Sequence, residues 1–209
     1  MNVTEILAQA WPVMPVIVID DPKHALPMAE ALREGGVTVL EITLRTDAAL
    51  TAISQIAKTL PDVIVGAGTV LTTEQLQRVS DAGARFAVSP GLTEKLLIAS
   101  QQASIPLLPG AVTASEIQLA LEYGIQTLKF FPAEAAGGAP VIKAFHGPFN
   151  KLRFCPTGGI KTGNASEYLS LPNVACVGGS WLTPATEMNN GNWRALTELA
   201  RASRKLTGK

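Results

Sequence analysis

The sequence predicts an α/β protein: a single (β/α)8 (TIM) barrel domain over residues 1–209 with a short N-terminal helix. Apolar runs of about seven residues recur every 21 to 26 residues, and stretches with helical periodicity separate them. Eight alternating strands and helices in a chain of 209 residues are the number that closes a parallel barrel at its short limit. An open doubly wound sheet is the alternative, although no Gly-x-Gly-x-x-Gly motif follows the first run.

The predicted elements begin with a helix over residues 2 to 10. The eight strands that follow are predicted to start near Val13, Val37, Val63, Arg85, Pro106, Thr127, Arg153 and Ala175. Capping boxes at residues 72–75 and 113–116 indicate two helix starts. Residues 186–209, which are polar and become basic at the end, predict a last helix with a frayed tail.

Three glycines indicate where helices end. Gly35, Gly83 and Gly124 each stand just before a predicted strand, where a helix C-cap is expected. No stretch rich in Pro, Gly and Ser divides the chain, so one domain is expected.

Composition excludes several classes of partner. Hydrophobic residues make up 47% of the chain and charged residues 16%, which is enough apolar material for a large core. Seventeen basic residues balance seventeen acidic ones, so neither nucleic acid nor an anionic membrane surface is an expected partner. No secretory leader or membrane span is evident, which predicts a soluble, cytoplasmic protein.

The cysteines and histidines point to no metal site. Cys155 and Cys176 lie in apolar runs and are predicted to be buried free thiols rather than a disulfide. His24 and His146 lie far from any cluster with ligand spacing, so no protein-bound metal is expected.

Lys129 is the one cation in the apolar run Leu128–Ala133. A lysine inside a buried strand is costly unless it is paired or neutral. A neutral amine is a nucleophile toward carbonyl carbon, so Lys129 suggests Schiff-base chemistry. In the alternative interpretation, the amine reaches water past the strand end while its aliphatic stem packs.

The second run carries an acid inside it and a cation near its end. Period-2 alternation puts Glu41, Thr43 and Arg45 on one face. A carboxyl in such a position suits general acid–base work, and an arginine near the rim suits a substrate carboxylate. The alternative is a structural Glu41–Arg45 pair. Thr69, after the third run, offers a hydroxyl to the same carboxylate, although its neighbouring glycines also suit a tight turn.

Paired glycines end the seventh and eighth runs. These are Gly158-Gly159, which follow Thr157, and Gly178-Gly179, which precede Ser180. Strands seven and eight are where many barrels bind a phosphate group through backbone N–H groups. Ser180 is a plausible further donor to a phosphate oxygen. The alternative is that these glycines allow close packing.

Together these residues resemble the 2-keto-3-deoxy-6-phosphogluconate (KDPG) aldolase family, which consists of class I, Schiff-base aldolases. The matching segments run in order over nearly the whole chain and comprise residues 15–18, 41–46, 66–70, 89–91, 128–134, 153–159 and 178–181. The resemblance implies a homotrimer of (β/α)8 barrels that needs no metal or organic cofactor.

The resemblance also implies the reaction and the roles of the site residues. The expected substrate is a phosphorylated keto-deoxy sugar acid, which is cleaved to pyruvate and glyceraldehyde 3-phosphate. Activity on 4-hydroxy-2-oxoglutarate is also common in the family. The roles carried over are Lys129 as the Schiff-base lysine, Glu41 for proton transfer, Arg45 and Thr69 for the pyruvate carboxylate, and Gly158, Gly159, Gly179 and Ser180 for the phosphate end. Thr157 is expected to contact the C4 hydroxyl because it comes just before the glycines.

The sequence is also compatible with three other functions. An aldolase for the C4-epimeric phosphogalactonate substrate would use the same strand-end residues. A phosphate-binding barrel isomerase or epimerase would share the glycine pairs but would not need an imine lysine. A non-catalytic protein, either a sensor of phosphorylated sugar acids or a purely structural trimer, would show no turnover, but a buried lysine is costly to keep for binding alone.

Overall fold

The computed structural model describes residues 1–207, in which eight short parallel strands alternate with helices. The strands are β1 (Val13–Ile17), β2 (Val39–Thr43), β3 (Ile64–Gly68), β4 (Ala87–Val88), β5 (Leu107–Leu108), β6 (Thr127–Phe130), β7 (Arg153–Pro156) and β8 (Val177–Gly179). Each begins within two residues of its predicted start, because the apolar runs that form strands are also the segments that become buried.

Ten α-helices accompany these strands within residues 1–207. They are α1 (Val3–Ala10), α2 (Ala25–Glu34), α3 (Ala49–Thr59), α4 (Thr73–Asp81), α5 (Glu94–Gln102), α6 (Ala114–Glu122), α7 (Gly138–Phe145), α8 (Ala165–Leu169), α9 (Ala185–Asn189) and α10 (Trp193–Ser203), and a 3₁₀ turn at Pro22–His24 precedes α2. Both predicted capping boxes form, at the starts of α4 and α6.

Strand pairing gives a closed barrel and not an open doubly wound sheet. Six strands pair in the order β5-β4-β3-β2-β1-β8, and β6 pairs with β7. Two parallel bridges join these sheets, Gly110 with Lys129 and Thr157 with Gly178. The structure therefore confirms the predicted barrel, and the carboxyl ends of all eight strands meet at one mouth.

The core has two layers, as the alternation along each strand requires. Leu40, Ile42 and Leu128 face outward and pack with the helices. The inward residues at the bottom of the barrel form a second cluster, which α1 closes with Ile6 and Leu7. The polar residues Glu41 and Lys129 therefore occupy inward positions above an apolar floor.

Both cysteines belong to this inner layer. Cys155 and Cys176 are buried free thiols with their Sγ atoms 3.6 Å apart, as predicted. The hydrogen bond with Cys155 and the burial of the thiol raise the pKa of Cys176 well above its usual range.

Two details of the helix ends differ from the predictions. Gly83 and Gly124 adopt the left-handed conformation expected after a helix, but at the end of α2 this conformation falls on Gly36, one residue after Gly35. The single helix predicted over residues 186–209 is wrong. The chain forms α9 and α10 there, separated by Gly191 at φ +65°, and residues 208 and 209 lie outside the described residues.

Candidate active site

Lys129 points into the barrel from the middle of β6. Its neighbours Leu128 and Phe130 face outward and pack in the helix layer. The lysine is only 5% exposed, so its amine does not reach solvent as the alternative interpretation supposed. The alternation of β6 thus places one amine inside an otherwise apolar wall.

Glu41 is the partner of Lys129. The Lys129 Nζ donates to Glu41 Oε1 at 3.1 Å, and the Glu41 residue is fully buried. The expected alternative, a structural pair between Glu41 and Arg45, does not form. Glu41 Oε2 has no hydrogen-bond partner within residues 1–207, so it can accept a proton or a hydrogen bond from a bound molecule.

Gly68 makes room for the Glu41 carboxyl group. Gly68, the last residue of β3, pairs with Thr43 of β2, and a Cβ atom on Gly68 would overlap Glu41 Oε1. A Cβ atom on Gly66 would likewise overlap the ring of Phe86. The two glycines of this strand therefore make room for side chains, whereas the sequence suggested a tight turn.

Replacement of Gly68 by alanine is expected to lower kcat of the aldol cleavage that the family resemblance implies by roughly 10²-fold. A displacement of about 1 Å in a reacting group can lower a rate by this factor. The added methyl group must push the Glu41 carboxylate from its position beside Lys129. Steady-state kinetics on the purified variant measures the effect. Gly163→Ala is the matched control, since nothing lies within 4 Å of a Cβ there. A Gly68→Ala enzyme as active as the control would contradict this account.

Arg45 and Thr69 lie together at the mouth of the barrel. Leu44 donates its N–H to the Gly68 carbonyl at 2.8 Å, which places the residues that follow side by side. Arg45 is exposed and pairs with no carboxylate within residues 1–207. The backbones of Arg45 and Thr69 therefore lie side by side, and the binding of one anionic group by their two side chains stays a prediction.

Thr69 has an unusual backbone. Its φ of +60° is left-handed, which a β-branched residue rarely adopts. Such a conformation costs of order 1–3 kcal/mol and is typical of functional sites. The sequence carried no signal of this strain.

The glycine pair after β7 forms a turn with exposed backbone. Gly158 and Gly159 both have positive φ, +102° and +78°. Their N–H groups, like that of Ser180, donate to no protein acceptor within residues 1–207. Consecutive N–H groups of this kind form an anion-binding concavity. Thr157, which precedes the turn, is buried and lies against Gly178.

Gly179 makes room for a neighbouring side chain, in addition to its predicted role in binding phosphate. It lies within β8, and a Cβ atom there would overlap the ring of Trp181. Gly178 likewise makes room for Thr157. The close-packing alternative therefore describes the second glycine pair, and the assignment of Gly179 to the phosphate end stays a prediction.

Phe131 is a site residue that the sequence interpretation missed. Its ring centroid lies 5.4 Å from the Lys129 Nζ, within the range of a cation–π contact. Phe131 follows Lys129 by two residues, so strand periodicity could have placed both on one face. Its ring adds an apolar wall beside the amine.

The fold and these residues define a class of protein: a parallel barrel with a buried lysine–carboxylate pair, equipped for imine formation with a carbonyl compound. Within residues 1–207, no three His, Cys, Asp or Glu side chains converge as metal ligands do. No helix in that part of the chain is both long and apolar enough to cross a bilayer.

Known proteins place the chain in a particular family. The model of the KDPG and KHG aldolase family matches residues 3–199. KHG/KDPG aldolase from Escherichia coli strain K12 is 54% identical over 94% of this chain and 92% of that protein. A 2-dehydro-3-deoxy-phosphogluconate aldolase from Dickeya dadantii is 55% identical with the same coverage. The chain belongs to the KDPG and KHG aldolase family.

A solved structure shows the same fold at similar identity. It is the KDPG aldolase from Legionella pneumophila, with pyruvate captured at low pH as a covalent carbinolamine intermediate. It is 52% identical to this chain, with a TM-score of 0.94, and the match covers 96% of this chain and 97% of that one.

Proposed function

We propose that this protein is a class I aldolase that cleaves KDPG to pyruvate and D-glyceraldehyde 3-phosphate. The observation that carries the proposal is the buried pair of the Lys129 amine and the Glu41 carboxylate, 3.1 Å apart inside the barrel. The similarity to aldolases that carry this substrate in their names supports the choice of substrate. Cleavage of 4-hydroxy-2-oxoglutarate (KHG) to pyruvate and glyoxylate is a second activity of the same site.

The reaction begins with proton transfer inside the pair. Glu41 is within hydrogen-bond reach of the Lys129 amine and takes a proton from it, which leaves a nucleophile. The neutral amine attacks the C2 ketone of the substrate to form a carbinolamine. Protonated Glu41 then returns its proton to the C2 hydroxyl, which leaves as water, so that a protonated imine forms and Glu41 is again a carboxylate.

The protonated imine then accepts the electrons of the breaking bond. Glu41, directly or through one water molecule, removes the proton of the C4 hydroxyl, the C3–C4 bond breaks, and the aldehyde leaves. The remaining enamine is protonated at C3, and hydrolysis of the imine releases pyruvate and the free Lys129. The chain thus supplies the nucleophile and the proton carrier from two strands.

Other residues orient the substrate. Arg45 and Thr69 bind the carboxylate of the pyruvyl half at the mouth of the barrel, which directs C2 toward the amine. Thr157 contacts the C4 hydroxyl. The N–H groups of Gly158, Gly159 and Ser180, with the Ser180 hydroxyl, bind the phosphate, and Gly179 lies beside them at the phosphate end.

The rival functions have less support. An isomerase or epimerase would not need an amine paired with a carboxylate inside the barrel. The aldolase for the C4-epimeric substrate is not favoured, because the relatives at 54% and 55% identity are named for KDPG. A homotrimeric assembly, which rests on the family resemblance, and a cytoplasmic location are further proposals.

Trapping with borohydride tests the proposed function. Incubation with pyruvate and sodium borohydride should reduce the imine and leave one N-carboxyethyl group on Lys129, located by peptide mass spectrometry. Exposed Lys151 in the same sample is the internal control and should stay unmodified. A protein that gains no adduct, or gains it on another lysine, is not an aldolase of this type.

A further inference from the structure

A contact between Tyr168 and Glu134 borders the glycine turn but has no part in the proposed reaction. Tyr168 is fully buried in α8, and its hydroxyl donates to Glu134 Oε1. Glu134 lies in the loop that follows β6 and the lysine. The contact therefore joins the loop that follows β6 to α8, the helix that follows β7.

The Glu134 side chain lies directly against the glycine turn. Its backbone N–H donates to the Gly158 carbonyl at 3.1 Å. A Cβ atom built on Gly159 would lie 2.5 Å from Glu134 Cγ. The carboxylate is attached to this Cγ atom, so rotation about one bond changes its distance from the turn.

This position creates an electrostatic conflict. The N–H groups of Gly158 and Gly159 have no protein acceptor within residues 1–207 and suit an anion. A neighbouring carboxylate is itself an anion, so it competes with phosphate for these donors or repels it. Glu134 must be directed elsewhere if the turn is to bind phosphate.

The Tyr168 hydroxyl provides that direction. Burial, and then its hydrogen bond with Glu134, raise the pKa of Tyr168 well above its usual range, so the hydroxyl stays a donor at all working pH values. Gly138 lies beside the pair, where a Cβ atom would be 3.4 Å from the Tyr168 oxygen and 3.6 Å from Glu134 Oε1. The pair is therefore enclosed on this side by backbone.

We propose that the Tyr168 hydroxyl holds the Glu134 carboxylate away from the N–H groups of Gly158 and Gly159, and so keeps the turn free for the substrate phosphate. Tyr168 and Glu134 are therefore positioning residues, and their contact favours the binding of phosphorylated over unphosphorylated substrates. The inference rests on the proposed function for the identity of the phosphorylated substrate.

The test compares two substrates that differ at the phosphate end. Tyr168→Phe is expected to raise KM for KDPG about tenfold, within what a lost hydrogen bond to a charged group allows. KM for unphosphorylated KHG should not change. Adding Glu134→Gln to the Tyr168→Phe variant removes the competing charge and should return KM for KDPG to the wild-type value. Steady-state kinetics with both substrates measures these changes.

Two further variants and a binding assay make the result decisive. Tyr123→Phe changes the other tyrosine of the chain, at the C-terminal end of α6, and should have no effect. If Tyr168→Phe does not fold, Glu134→Asp takes its place in the test. Its shorter side chain cannot reach the Tyr168 hydroxyl, so it should also raise KM for KDPG. Calorimetric titration with glycerol 3-phosphate should show the same tenfold weakening without any turnover.

Equal changes in KM for both substrates would overturn the inference, as would a double variant no better than Tyr168→Phe. A wild-type protein that binds glycerol 3-phosphate but forms no pyruvate adduct would instead refute the proposed function. The binding titrations of the variants would still decide the role of Tyr168.

Discussion

Replacement of Lys129 by methionine is expected to abolish cleavage of KDPG, because no other amine can form the imine at this position. The variant is also expected to lose stability. Removing one partner of a buried ion pair leaves an uncompensated charge, here on fully buried Glu41, and costs about 3–5 kcal/mol. Turnover assays measure the first effect, and urea unfolding measures the free energy of unfolding.

A second variant separates these two effects. Lys129→Met combined with Glu41→Gln removes both charges, so much of the lost stability should return while activity stays absent. Lys143→Met, which changes an exposed lysine on α7, is the matched control and should alter neither quantity. Turnover by Lys129→Met within tenfold of the wild-type rate would end the Schiff-base account.

Replacement of Glu41 by glutamine is expected to lower kcat by roughly 10²–10⁴, the usual loss when a general acid–base group is removed. The amide keeps the size of the side chain and fits beside Gly68, but it cannot carry protons. Exchange of the pyruvate methyl protons with deuterated water, followed by NMR, isolates proton transfer at C3. This exchange should slow by a similar factor.

Glu41→Asp is the companion to this experiment. It keeps the carboxylate but retracts it from Lys129 Nζ by one methylene, so we expect an activity between those of the wild type and Glu41→Gln. Exchange at the wild-type rate in Glu41→Gln would assign proton transfer to another group.

Much of the architecture follows from local pattern. Each strand begins within two residues of an apolar run, because burial on both faces demands apolar residues on both. The capping boxes of α4 and α6 form because they involve only neighbouring residues. The division between α9 and α10 was missed, although Gly191 lies at that point and could have indicated it.

Contacts between distant residues were less predictable. The pattern put Glu41 and Lys129 inside the barrel but could not pair them, since 88 residues separate them. It allowed a Glu41–Arg45 pair instead, because those residues share a face of one strand. The roles of Gly68 and Gly179 were also hidden, since the side chains that occupy their space come from other parts of the chain.

From its sequence alone, this protein is determined to be a barrel with one amine and one acid among apolar strands. The periodicity of apolar residues decides this, because it depends only on the order of residues and on which face of each strand is buried. Tertiary structure alone decides that the amine meets the acid, that Gly68 admits the carboxyl group, and that Tyr168 holds Glu134. These contacts depend on closure of the barrel. Closure brings together residues whose separation along the chain does not indicate their distance in space.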